Sequence, residues 1–290
     1  MRKLITVFCI AMLLSFQALY SEGQTQPPKP PSGQAQAFAG MGQTTMDKAF
    51  QEYTMEDEYY LGRAVAANIL NVYKPYTRNE ELTRYVNRIC QALVINSSQP
   101  VLFNGYHVLI LDSTEYNAFA SPGGHILITR GLVEAAASED MLAALIAHEL
   151  AHIIKKHGLQ LIDDMSIFNN ASQAASQGQA MSKSPAANRL MSYRNSVADY
   201  LDGIMKSGYS QAYEFEADRE AVKILAATGY DPAALIDMLK VLQRVQSSQK
   251  GGFNNTHPTP AARISGVEGT LSLYRVPDTK PSRAPRFRNK

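Results

Sequence analysis

His148-Glu149-Leu150-Ala151-His152 stands in the middle of the apolar run Met141 to Ile154, and this stretch governs how the rest of the chain is read. Residues four apart on an α-helix share a face, so the two imidazoles converge on one point. Converging His nitrogens suit a tetrahedral zinc ion, and Glu149, one residue further round, is placed to take a proton from a zinc-bound water. Ser138 is the expected N-cap, Glu139 and Asp140 favour the positive end of the helix dipole, and Gly158 is the expected stop. Leu142, Leu145, Ile146, Leu150 and Ile153 leave little polar circumference, so the helix is expected to be buried. Burying two His and a Glu there is costly unless a metal or paired groups compensate them.

A catalytic zinc site needs a third protein ligand and an open position. His157 fails on spacing, because the pattern that supplies a third His after such a pentapeptide wants Gly and His where this chain has Lys155 and Gly158. It is expected at the helix end, as a dipole-stabilised surface residue or as a hydrogen-bonding support to the ligands. The other source is a carboxylate on a second helix. Glu214 and Asp218, four apart in a helical run that ends at Thr228-Gly229, share a face with Ala221, Val222 and Leu225. A carboxylate pair on an apolar stripe suggests one ligand and one acceptor for the second N–H of a metal-bound His.

Four ordered motifs now resemble one family, the HtpX-like and CaaX-prenyl-protease metallopeptidases, gluzincins whose third ligand is a downstream Glu. They are Asn117-Ala118-Phe119-Ala120-Ser121-Pro122-Gly123-Gly124, His148 to His152, Glu214 to Asp218, and His257-Pro258 with Arg263-Ile264. The resemblance runs from about Glu52 to about Glu268 and implies one Zn2+ per chain on His148, His152 and Glu214, with Glu149 as base. It implies Asp218 as the acceptor behind a ligand, and His257 near the metal; Glu216 falls at a variable position and is not assigned to zinc. It further implies a zinc metalloendopeptidase acting in quality control of misfolded or unassembled envelope proteins. The rival is a metal-dependent, chaperone-like peptide-binding protein with little turnover, against which the intact Glu149 argues.

Tyr106 to Leu111 and His125 to Thr129 are rich in apolar and β-branched residues and flank a Pro-Gly-Gly turn, so they are expected to be strands of a small sheet. A strand at the rim of an active site offers backbone groups to an extended peptide, which makes Asn117, Ala118, Phe119 and Gly124 the candidate substrate-binding residues. His125 and His107 are expected to be strand residues without a ligand role. His257 follows a Gly- and Asn-rich approach and precedes Pro258 and Pro260; it could stabilise an oxyanion or coordinate zinc itself and close the site. Thr259 is the expected cap of a short helix bearing Arg263, which is expected to pair with a carboxylate near the zinc.

Around this domain the chain is less specific. Arg2 and Lys3 before the apolar run Leu4 to Tyr20 read as a signal peptide over 1–21, with export to the periplasm; an uncleaved membrane anchor is the alternative. Residues 22–51 are an expected flexible linker, 52–268 the metallopeptidase domain, and 269–290 a basic tail, solvated or in peripheral contact with an anionic membrane surface. Loss of Arg2 and Lys3 would leave 26 basic and 26 acidic residues, which gives no electrostatic reason to expect nucleic acid. Residues 165–188, rich in Ser, Gln, Ala and Asn, are a candidate lid. Cys90 stands in a helical pattern as an expected buried thiol. The fold class expected is α+β: mostly helical, with a small sheet beside the zinc helix.

Overall fold

Alternation along the strands builds a sheet with two apolar faces, and helices cover both. The computed structural model describes residues 53–163, 195–201, 203–204, 208–246, 257, 260–274, 278 and 280–288. The expected leader (1–21), linker (22–51), candidate lid (165–188) and Thr259 lie outside them. In chain order the named elements are helices α1 (Met55–Val72) and α2 (Glu80–Ile95), strands β1 (His107–Leu111), β2 (Ala118–Ser121) and β3 (His125–Thr129), and helices α3 (Arg130–Ala135) and α4 (Glu139–Ile154). Then follow α5 (Gln211–Thr228), α6 (Ala234–Gln246), α7 (Pro260–Leu271) and α8 (Lys280–Arg288). The expected α+β class, helices around a small sheet, is what forms.

The sheet order is β1-β3-β2. β1 lies parallel to β3, with His107 opposite His125, and β2 lies antiparallel to it, with Ala118 opposite Ile128. The motif Ala118 to Ser121 is therefore a strand of its own, and the Pro122–Gly124 turn joins β2 to β3. Gly123 and Gly124 take φ of 68° and 97° there, which side chains resist, and a Cβ on Gly123 would meet the Tyr59 backbone at 2.4 Å. Val108, Ile110, Ala118, Ala120, Ile126 and Ile128 pack with α2, α4 and α6 on one face. Phe119 and Leu127 pack on the other with Leu61, Val65 and Ile69 of α1 and with Leu159, Ile162 and Tyr200.

Helix α4 is capped by Ser138, whose side chain accepts from the Met141 N–H, and every residue from Glu139 to Ile153 is buried. It ends before the expected stop. Ile154 is its last residue, Lys156 takes φ of 57°, and residues 157–163 are helical again. Gly158 is needed for closeness instead, because a Cβ there would stand 3.1 Å from Tyr200 and 3.2 Å from Pro122. Cys90 is buried as expected, and burial pushes its thiol up to about 12.

The basic tail is not simply solvated. Its first residues continue α7 to Leu271, and α8 docks on the first turn of α4. Arg283 is buried; its Nη2 and Nε donate to Asp140 Oδ1 and Oδ2 at 2.6 and 3.1 Å, and its Nη1 donates to the Gly229 carbonyl. Arg286 forks onto Glu139, which also accepts from the hydroxyls of Tyr85 and Tyr230. Two buried acids that cap the zinc-type helix are thus neutralised from the far end of the sequence. Arg283→Ala is expected to cost about 3 to 5 kcal/mol of stability by taking the ion-pair partner from buried Asp140, which keeps only the Asp231 N–H. Urea unfolding of Arg283→Ala, and of the double variant with Asp140→Asn, checks this: the double variant should recover a large part of the loss.

Candidate metal centre

Helix α4 turns His148 and His152 to one side, α5 brings Glu214 against it, and His257 enters ahead of α7. One donor atom from each of the four lies within 4.8 Å of the others. His148 Nε2 stands 3.1 Å from His152 Nε2 and 3.4 Å from His257 Nδ1. Glu214 stands 3.5 Å from His148 Nε2, 3.4 Å from His152 Nε2 and 2.8 Å from His257 Nδ1. Ligands at tetrahedral corners about 2.0–2.1 Å from zinc stand about 3.3 Å apart. Four of the five separations lie close to that value, the 2.8 Å between Glu214 Oε1 and His257 Nδ1 being shorter, and the donor set of three imidazoles and a carboxylate is one that zinc takes, so the residues fit the ion. All four side chains are at most 2% exposed.

Asp218 and Arg263 hold this arrangement. Asp218 Oδ1 lies 3.0 Å from His148 Nδ1, which leaves Nε2 facing the cluster. Arg263 donates through Nε and Nη2 to both Asp218 oxygens at 2.8 and 2.7 Å, and its Nη1 stands 2.7 Å from Glu214 Oε2. The expected carboxylate partner of Arg263 is therefore two carboxylates. Glu149 differs from all of these: both of its oxygens are buried without a hydrogen-bond partner, and His257 Nε2 stands 3.6 Å from Oε1.

Two site residues, Tyr200 and Tyr209, could not be foreseen as such, and of the two readings of His157 the support to the ligands is the one that forms. The Tyr209 ring stacks on His152 with centroids 4.0 Å apart, and the hydroxyls of Tyr200 and Tyr209 both donate to the Ala120 carbonyl of β2, at 2.7 and 3.2 Å. His157 is fully buried, so its reading as a surface residue is wrong: the Lys156 turn brings its Nδ1 to 2.9 Å from His152 Nδ1. Tyr209 stands five residues before Glu214, but nothing in that spacing signals a ring on His152. Of the candidate substrate residues, Ala118 and Phe119 are buried in β2, and Asn117 joins β2 to β3 by accepting the Thr129 N–H at 3.0 Å. Gly124 packs so tightly that a Cβ would meet the Gly105 carbonyl at 2.3 Å. His107 is exposed at the start of β1 and His125 half-buried at the start of β3, both away from the cluster.

The charges suit a ligand site at every group but His148. Burial would raise the Glu214 carboxyl, but attraction to His257 and Arg263 overrides it and holds the group well below the carboxylate range. Burial pushes His152 well down, and His157 down to about 4, so both stay neutral. Burial also raises Glu149, the direction a general base requires. For His148, burial and Arg263 push down, but hydrogen bonds to Asp218 and Glu214 outweigh them and lift it to about 9.

Two His and a Glu on crossing helices, with a buried carboxylate one residue after the first His, define the class of zinc metallopeptidases. The chain belongs to peptidase family M48, whose profile matches residues 77–271. It is 26% identical over 229 residues to the beta-barrel assembly-enhancing protease of Escherichia coli, covering 78% of this chain and 45% of that protein. It is 27% identical over 201 residues to the mitochondrial metalloendopeptidase OMA1 of Schizosaccharomyces pombe, covering 67% and 54%. The chain thus spans about half the length of the curated relatives it matches.

The raised His148 makes metal uptake a proton exchange. Below about 9 the imidazole carries a proton that zinc must displace, so affinity should rise about tenfold per pH unit towards that value and level off above it. Chelator competition across that range checks the slope; a flat profile would show that His148 carries no such proton.

Proposed function

We propose that this chain is a zinc-dependent metalloendopeptidase that cleaves misfolded or unassembled envelope proteins on the periplasmic side, with zinc held by His148, His152 and Glu214. The single observation that carries the reading is Glu149, a buried carboxylate without a hydrogen-bond partner beside a four-donor cluster. Bound there, zinc supplies Lewis-acid polarisation of a peptide carbonyl and lowers the pKa of water. Glu149 takes the proton of the attacking water on a carboxylate oxygen and passes it to the leaving amine. Asp218 and Arg263 keep His148 and Glu214 in place through that transfer, and β2, with Asn117 to Phe119 and Gly124, is the stretch along which an extended substrate would align. The Escherichia coli relative, a beta-barrel assembly-enhancing protease, supports the substrate class, and Arg2-Lys3 ahead of an apolar run supports export. No described helix is long and apolar enough to cross a membrane. A binding protein without turnover has no use for Glu149.

His257 acts as a plug in this reading. Its Nδ1 stands among the other three donors and its Nε2 faces Glu149, so it fills the position that a substrate or water needs. A four-ligand site of this kind resembles a structural zinc site until the fourth ligand leaves.

Glu149→Gln is expected to abolish cleavage of an unfolded protein while stoichiometric zinc is retained, whereas Glu214→Ala is expected to lose the zinc. Metal analysis beside a proteolysis assay reads both; full zinc and full activity in Glu214→Ala would remove it from the ligand set. His257→Ala separates plug from catalytic donor. Faster turnover of an unfolded substrate is expected, and a large uniform drop with zinc unchanged would assign His257 to transition-state stabilisation instead.

A further inference from the structure

The two His ligands on α4 are backed by different groups. His148 reaches a carboxylate directly, at Asp218 Oδ1. His152 does not. Its Nδ1 meets His157 Nδ1 at 2.9 Å, and His157 Nε2, a buried nitrogen without a hydrogen-bond partner, has Glu216 Oε2 3.5 Å away. Two ring nitrogens bond only if one carries hydrogen and the other accepts. If His152 holds zinc through Nε2, as proposed above, its hydrogen is on Nδ1 and the direction of the chain follows. His152 Nδ1–H donates to His157 Nδ1, and His157 presents Nε2–H to Glu216.

The middle ring is fixed for this task. It is fully buried and stacks on Tyr213, with centroids 4.6 Å apart and planes 18° from parallel. At the outer end Glu216 is part exposed, and its Oε1 lies 3.4 Å from Lys155 Nζ. Glu214, Glu216 and Asp218 all ride on α5, so one helix carries a ligand and the carboxylate behind each ligand imidazole.

We propose that His157 and Glu216 are positioning residues, a relay that sets the tautomer and ring plane of His152 at the zinc and ends on a surface carboxylate. A neutral imidazole polarises a neighbour less than a carboxylate does, so His152 is the weaker donor of the two His ligands. An acceptor behind a metal-bound His raises its basicity and fixes its orientation, and losing one costs about 10- to 100-fold in metal affinity.

The test compares two replacements in the full chain. His157→Phe keeps a flat ring against Tyr213 and offers no acceptor, so zinc affinity by chelator competition should fall about 10- to 100-fold and the visible spectrum of the cobalt-substituted protein should change. His157→Asn carries an oxygen close to the former Nδ1 and should recover most of the affinity. A role in packing alone gives the reverse order, Phe normal and Asn defective, and that result overturns the relay. Glu216→Ala, at the exposed end where the fold is not at stake, should weaken zinc in the same direction by a smaller factor; wild-type affinity there overturns the outer link. Absence of zinc from the wild-type protein would instead overturn the metal centre, and the relay with it.

Discussion

Everything in the core depends on one guanidinium. Arg263 is 1% exposed and stands against both Glu214 and Asp218, in a region that also buries Glu149. Three carboxylates face one fixed cation in a low-dielectric interior, an excess of negative charge that the raised His148 offsets only in part. A divalent cation at the His cluster supplies that balance. The same accounting explains why α4 and α5 can be so apolar elsewhere: the polar groups are concentrated at one crossing and paired there.

The centre was legible where its logic is local. The spacing of His148 and His152, and of Glu214 and Asp218, follows from helical geometry, and the apolar residues between them fix which faces are buried. The strands β1 and β3 were legible from composition, but their parallel pairing was not, because β2 intervenes in sequence and takes the other edge. His157 was left between a surface residue and a support to the ligands because Lys155-Lys156-His157 reads as a polar helix end. A left-handed turn at Lys156, a residue type that rarely adopts one, folds the chain back beneath His152. The tail was misread for a related reason: Arg283 finds Asp140 across 143 positions of sequence, and no local pattern encodes such a pairing.

Helix α8 lies beyond the part of the chain that matches the family. It ties the first turn of α4 to Gly229 and Tyr230, which directly follow α5. The two helices that carry His148, His152 and Glu214 are therefore joined twice, at the His cluster by Arg263 and at the opposite end of α4 by Arg283. A helix anchored at both ends has little freedom to tilt, and ligand geometry within a few tenths of an ångström requires that restriction.

The sequence separations within the centre also set the order in which it can come into being. His148 and His257 are 109 residues apart, and Arg263 and Asp218 are 45 apart. Contacts that distant form late, because loop-closure entropy must be overcome before they add stability. A chain emerging from the ribosome has His148, Glu149 and His152 long before it has His257 and Arg263. Until Arg263 and His257 arrive, Glu214 and Asp218 lack those partners, so the cluster is completed only with the fold. In the proposed reading, the donors that would cut and the residue that would cover them are thus brought together in one step, the last of folding.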